Sequence, residues 1–104
     1  MKKSLLHILP NELKIAGHTI AIKFVDTTDE DNYGYFSDVE LCIVIAKGIE
    51  RDGKVIEFND TQLLNTFFHE LIHCYQFFYG ANYEETEAQV YANFLTELFN
   101  QIEL

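Results

Sequence analysis

Two histidines stand four residues apart in this chain, and a glutamate directly follows the first of them: His69, Glu70 and His73. On an α-helix this spacing puts both imidazoles on one face, about one turn apart. Two imidazoles placed in this way can reach one ion at the roughly 2.0–2.1 Å of a zinc–nitrogen bond. The carboxylate of Glu70 can then accept a proton from water at the metal. The pattern predicts a zinc site that activates water for hydrolysis, with Glu70 as general base.

This interpretation requires a helix around the motif, and the flanking sequence favours one. Asn59, Asp60 and Thr61 are suited to an N-cap, and Gly80 can end the helix in a left-handed conformation. Between these ends the apolar residues recur at spacings of three and four, which is typical of a helix with one buried face. They are Leu63, Leu64, Phe67, Phe68, Leu71, Ile72, Tyr75 and Phe78.

A catalytic zinc site usually has three protein ligands and one position for water, so the sequence should supply a third ligand. A second helix is predicted from Glu84 to about Gln101, and the short connection from Gly80 makes the two helices antiparallel neighbours. Glu87 would lie about 6 Å from the start of this helix. We expect Glu87 to be the third ligand, with Glu84 in reserve and Glu85 pointing elsewhere. Glu87 shares its face with a predicted inward stripe: Val90, Tyr91, Phe94, Leu95, Leu98 and Ile102.

Hydrolysis of a peptide bond also requires a hydrogen-bond donor for the oxyanion. Tyr91 is the predicted donor, and Tyr83 is the alternative. A place in an aromatic core is the competing interpretation for each of these tyrosines.

Composition limits the classes of function. The chain has 104 residues, a net charge of −10 and 48% hydrophobic residues, which predicts one globular domain over residues 1–104. Nucleic-acid binding requires clustered Lys and Arg, and the sequence contains no such cluster. We therefore expect a protein or peptide partner and no nucleic acid, whereas the sequence does not determine the oligomeric state.

The N-terminal segment and the cysteines indicate a cytoplasmic protein. The apolar run at 4–9 is interrupted by His7, and no small-residue cleavage site follows it. No stretch approaches transmembrane length, so no membrane partner is expected. Cys42 and Cys74 lie in apolar runs and are predicted to be buried, reduced thiols. Cys74 follows His73 and would point away from the metal-binding face.

The residues before the motif helix predict a small β-sheet after a short helical segment at 4–9. Four segments have the alternation or the apolar run of strands: 13–15, 19–24, 33–37 and 41–46. The last of them is continuously apolar, as expected of a strand covered on both faces. Turns are predicted at Ala16-Gly17-His18 and at Asp52-Gly53, and a solvated acidic loop at 26–32. The predicted fold class is α+β, an N-terminal sheet followed by an antiparallel helical hairpin.

The motif segment 63–73 and the helix beginning Glu84-Glu85-Thr86-Glu87 resemble small phage-encoded zinc metallopeptidases of a minimal gluzincin type, and more distantly ImmA/IrrE-type zinc peptidases. The resemblance covers about Leu13 to Leu98. It implies a zincin-like domain in which His69, His73 and Glu87 bind zinc and Glu70 is the base. Tyr91, four residues after Glu87, stands where relatives have an Asp that orients a histidine.

Three functions follow from these features. The leading hypothesis is a zinc-dependent endopeptidase that acts on a protein partner. The second is a non-catalytic interaction module in which zinc joins the two helices. The third is an acidic inhibitor that mimics the charge of DNA. A carboxylate at Glu70 distinguishes the first from the second, because a structural zinc site does not need one.

Overall fold

The computed structural model describes residues 9–28, 32–80 and 82–102. The α+β prediction is confirmed, since six strands in two sheets precede two helices along the described chain. The predicted helical segment at 4–9 lies almost wholly outside the described residues, as does part of the predicted acidic loop. The strands are β1 (Glu12–Ile15), β2 (His18–Val25), β3 (Gly34–Ser37), β4 (Cys42–Ala46), β5 (Gly48–Arg51) and β6 (Lys54–Glu57). The helices are α1 (Asp60–Phe78) and α2 (Glu85–Asn100).

Four strands form the main sheet in the order β1-β2-β4-β3. β2 and β4 run parallel, whereas β1 and β3 pair antiparallel with them and form the two edges. All five residues of β4 are buried, which confirms the strand predicted to be covered on both faces. The edge position of β3 leaves one side of its backbone free to face α1.

Both predicted tight turns are present. Ala16 and Gly17 join β1 to β2 with φ of 51° and 82°, and Asp52 and Gly53 join β5 to β6 with φ of 52° and 76°. Positive φ at both central residues is the two-residue hairpin geometry that matches strand twist, and glycine adopts it without strain.

Helix α1 begins with a capping box. The Asn59 side chain accepts a hydrogen bond from the Gln62 backbone at 2.8 Å, and the Gln62 side chain accepts one from the Asn59 backbone at 2.8 Å. The buried face of α1 packs on the sheet and forms the core. The buried residues of this core, from both the sheet and α1, are Ile20, Ile22, Ile43, Ile45, Leu63, Leu64, Phe67 and Cys74.

Strand β3 approaches α1 unusually closely at Gly34. A Cβ at this position would lie 2.6 Å from the Val44 carbonyl oxygen and 2.7 Å from the Thr66 methyl group. Both distances are below van der Waals contact, so glycine is what lets the edge strand lie against the middle of α1.

Helix α2 packs on α1, but not through the predicted stripe of large residues. Its buried side chains are small: Ala88, Ala92 and Thr96. Of the stripe, only Leu95 is half-buried, and the remaining members are between 44% and 59% exposed. The prediction that this stripe faces inward is therefore wrong. No helix among the described residues is long and apolar enough to cross a membrane.

Candidate metal centre

Three potential ligand atoms meet between α1 and α2. His69 Nε2 lies 3.2 Å from His73 Nε2 and 3.3 Å from Glu85 Oε1, and His73 Nε2 also contacts Glu85 Oε1. Two of these side chains come from successive turns of α1, and the third comes from the first turn of α2. Among residues 9–28, 32–80 and 82–102, they form the one group of His, Cys, Asp and Glu placed to hold a metal ion.

Two of the three separations in the cluster fit a tetrahedral ion. Ligands bound at roughly 2.0–2.1 Å in a tetrahedron lie about 3.3 Å from one another. Both distances from His69 Nε2 match this separation. A proton on one imidazole could be shared between two of the three atoms, whereas a metal ion can accept a lone pair from all three. Two imidazoles and a carboxylate are also a donor set that zinc prefers, so the residues present fit the metal.

The other nitrogen of each imidazole is held by a glutamine. His69 Nδ1 lies 2.9 Å from Gln89 Oε1, and His73 Nδ1 lies 2.8 Å from Gln76 Oε1. An amide oxygen only accepts hydrogen bonds, so each Nδ1 must carry the hydrogen. Both Nε2 atoms are then left with lone pairs directed at the cluster, which is the tautomer that a metal requires.

Neighbouring groups fix the orientation of both glutamines. The Gln76 Nε2 group donates to the Glu84 carbonyl oxygen at 3.1 Å and to Glu87 Oε1 at 2.8 Å. Similarly, Gln89 Nε2 donates to two asparagine oxygens, one on each helix, Asn65 and Asn93. Each amide nitrogen is thus occupied by acceptors, and each amide oxygen must face its histidine.

Beside the cluster, Glu70 is buried and lines a cavity of about 360 Å³ together with both histidines and Glu85. Burial raises the pKa of Glu70 to about 7, against a lowering by nearby His69 and by a hydrogen bond with the Phe36 backbone. Because Phe36 belongs to the edge strand β3, Glu70 lies between this strand and the cluster of potential metal ligands. The other wall of the cavity includes Tyr33, Gly34 and Tyr35.

Tyr83 covers the cluster from the connection between the helices. Its ring stacks on His73 with centroids 4.2 Å apart and planes 6° apart, and its hydroxyl donates to Glu85 Oε1 at 3.1 Å. Burial and this hydrogen bond raise the pKa of Tyr83 to about 12. Burial alone would raise the pKa of Glu85, but the hydrogen bond from Tyr83 and the two neighbouring histidines lower it below its usual value. The carboxylate is therefore held in its charged form.

The structure brings His69, Glu70 and His73 together as the sequence predicted, but it places the acids of α2 differently. The expectation that Glu85 points elsewhere is wrong. Glu87, the predicted ligand, is directed at Gln76 instead and lies outside the cluster. The Glu84 side chain caps α2 by accepting from the Thr86 backbone at 3.1 Å. Glu87 lies two residues beyond Glu85, about 200° around the helix axis, so the two side chains reach different parts of α1 and only Glu85 meets the histidines.

Two other predicted residues lie away from the cavity. Tyr91 is half-exposed on the outer side of α2 and is not among the residues that line the cavity. Tyr83, the alternative, does line it. Cys42 and Cys74 are buried free thiols, as predicted, and burial raises the pKa of Cys74 to about 12.

Sequence reasoning assigned no partner to either histidine, although one signal was present. Gln76 interrupts an apolar stretch of α1 three residues after His73, where it is almost fully buried. A buried amide needs hydrogen-bond partners, and the histidine one turn earlier is within reach. Gln89 has no comparable signal, because its contact with His69 depends on how α2 is rotated.

Comparisons with protein-family models, curated proteins and solved structures found no match.

Proposed function

We propose that this chain is a zinc-dependent peptidase, and that His69, His73 and Glu85 hold the metal. The observation that carries the proposal is that one potential ligand atom from each of these three residues converges on one point. The two histidines are also held by Gln89 and Gln76 in the tautomer that binds a metal. Glu85 takes the place that the resemblance to minimal gluzincins gives to Glu87. In this proposal the sheet and the two helices form a small zincin-like domain.

When bound, zinc would polarise a peptide carbonyl and make water a better nucleophile at neutral pH. The residues of the chain supply the remaining steps. Glu70, buried beside the cluster, accepts a proton from the attacking water and returns it to the leaving amine. The Tyr83 hydroxyl lies at the cluster, and in this proposal its hydrogen bond passes from Glu85 to the oxyanion, which is the role first predicted for Tyr91.

The cavity favours catalysis over a purely structural metal. Structural zinc sites are usually closed by four protein ligands, whereas three are assembled here beside an open cavity of about 360 Å³. Glu70 lines that cavity without belonging to the cluster of ligand atoms. A metal that only joined the helices would require neither feature.

The test compares zinc content and hydrolysis in the wild-type chain and in Glu70→Gln. We expect about one zinc per chain in both, measured by elemental analysis, because Glu70 is not a ligand. Hydrolysis of a broad substrate such as casein should fall by at least about 100-fold in Glu70→Gln, since a general base contributes roughly 10²–10⁴.

A matched control is Glu97→Gln, which makes the same change on the exposed side of α2 and should alter neither quantity. Zinc bound by a chain without detectable hydrolysis would favour the structural alternative. A chain that neither retains nor takes up zinc at neutral pH would contradict both metal-based functions.

A further inference from the structure

A second cavity adjoins the first beside Tyr83. Its volume is about 350 Å³, and it shares three residues with the first cavity: Phe36, His73 and Tyr83. A peptide whose backbone lies at the metal candidate would therefore direct a neighbouring side chain into it. The volume is sufficient for a long or aromatic side chain.

The walls of this second cavity are mainly aromatic. Phe36 and Phe77 lie with ring centroids 5.8 Å apart, and the face of Tyr83 stacks on His73 at 4.2 Å. Gly80 contributes no side chain to the lining. Such walls can pack along an aliphatic stem, and aromatic faces also attract a cation.

The side chains of the lining offer one charged acceptor for a ligand. The amide of Gln76 is already engaged through both its oxygen and its nitrogen, and His73 Nδ1 donates to it. Asp38, just beyond the end of β3, also lines the cavity. Within the described part of the chain its carboxylate has no hydrogen-bond or ion-pair partner, and no Lys or Arg lines the cavity.

We propose that this second cavity binds an arginine or lysine side chain of the substrate, with the stem between the aromatic rings and the charge at Asp38. The proposal rests on the peptidase function and adds its specificity. Arginine suits the site best, because a guanidinium can stack on a ring and pair with a carboxylate at the same time. The net charge of −10 also attracts cationic peptides to the chain.

The test uses dansyl-labelled pentapeptides of alanine that carry arginine, citrulline or norleucine at the central position. Citrulline matches arginine in shape and lacks its charge. Binding to the wild-type chain is measured by fluorescence polarisation at low salt in the presence of chelator, so that the result does not depend on hydrolysis. We expect arginine to bind about threefold to fivefold more tightly than citrulline, the range expected of a solvent-accessible ion pair.

In Asp38→Asn, the affinity for arginine should fall to that for citrulline, while the affinity for citrulline remains unchanged. Glu97→Gln removes the same charge from a distant surface and should preserve the preference for arginine. Tighter binding of norleucine than of arginine, or an arginine preference that survives in Asp38→Asn, overturns the proposal, as does failure of all three peptides to bind.

Measuring the cleavage of the same peptides after zinc is added tests the peptidase function separately from this proposal. Selective binding of arginine without any cleavage supports the cationic pocket and contradicts the peptidase. Cleavage without a preference for arginine supports the peptidase and contradicts the pocket.

Discussion

Helices α1 and α2 lie side by side, yet they turn different kinds of side chain towards their neighbours. Helix α1 buries large residues such as Leu63, Leu64 and Phe67 against the sheet. Helix α2 buries Ala88, Ala92 and Thr96 and leaves large residues in solvent. Small side chains allow two helix backbones to approach closely. Because the two helices lie this close, the side chains of Glu85 and Gln89 can contact the imidazoles of α1.

The largest expected effect tests which face of α2 is turned towards α1. Glu85→Gln removes a charged ligand atom and should weaken zinc binding by more than about 100-fold, since even loss of an outer partner of a ligand costs 10–100-fold. Glu87→Gln is a matched control, because a glutamine oxygen can still accept the hydrogen bond from Gln76. Its zinc affinity should stay within about tenfold of wild type.

Competition with a fluorescent zinc chelator measures both affinities. If Glu87→Gln loses zinc while Glu85→Gln keeps it, α2 is rotated in solution and the original sequence prediction for Glu87 is right. Equal losses in the two variants would indicate that neither carboxylate is a specific ligand.

The second prediction tests the small-residue face directly. Ala92 is fully buried between the helices, and Ala92→Leu should lower the free energy of unfolding by about 1–3 kcal/mol, because extra methylene groups overpack the interface. The same substitution should also weaken zinc binding by moving Glu85 away from the histidines. Val90→Leu introduces the same side chain on the exposed face and should change stability by less than about 0.5 kcal/mol.

Urea denaturation of the two variants measures this difference. Equal stability of Ala92→Leu and Val90→Leu would contradict the close packing of α2 on α1. Loss of stability in Ala92→Leu without any loss of zinc affinity would instead show that the packing and the metal site are independent.

The parts of the fold that the sequence predicted are those decided by local chemistry. The Ala16-Gly17 and Asp52-Gly53 turns follow from backbone freedom at two residues, and the buried β4 follows from one apolar run. The motif histidines share a face because of helical geometry alone. None of these predictions requires knowledge of what packs against the segment.

The rotation of α2 could not be predicted in the same way. Apolar periodicity shows that a helix has a stripe, but not that the stripe is buried, and the prediction assumed that large residues face inward. That assumption selected Glu87, which shares the face of the stripe, and Tyr91, which belongs to the stripe. The true contact face is lined by alanines, whose weak apolar signal is easily outweighed by Phe94 and Leu98. The predicted third ligand depended on this choice, because a helix turns 100° for every residue.

The smallest expected effect concerns the exposed stripe itself. Phe94 is 56% exposed, whereas Phe67 on α1 is 6% exposed. Substitution of Phe94 by serine removes a ring that is already largely in water, so the free energy of unfolding should fall by less than about 1 kcal/mol. Phe67→Ser is the matched control and should cost about 3–5 kcal/mol, as expected when a core phenylalanine is truncated.

Thermal and urea unfolding of the two variants, at several protein concentrations, decides between exposure and burial. If Phe94→Ser destabilises the chain as much as Phe67→Ser at all concentrations, Phe94 is buried within the folded chain and the described rotation of α2 is wrong. A cost for Phe94→Ser that appears only at high concentration would show that the stripe is covered by another copy of the chain. A small cost at every concentration is the result expected if α2 is held by its alanines and the large residues beyond them contribute little to folding.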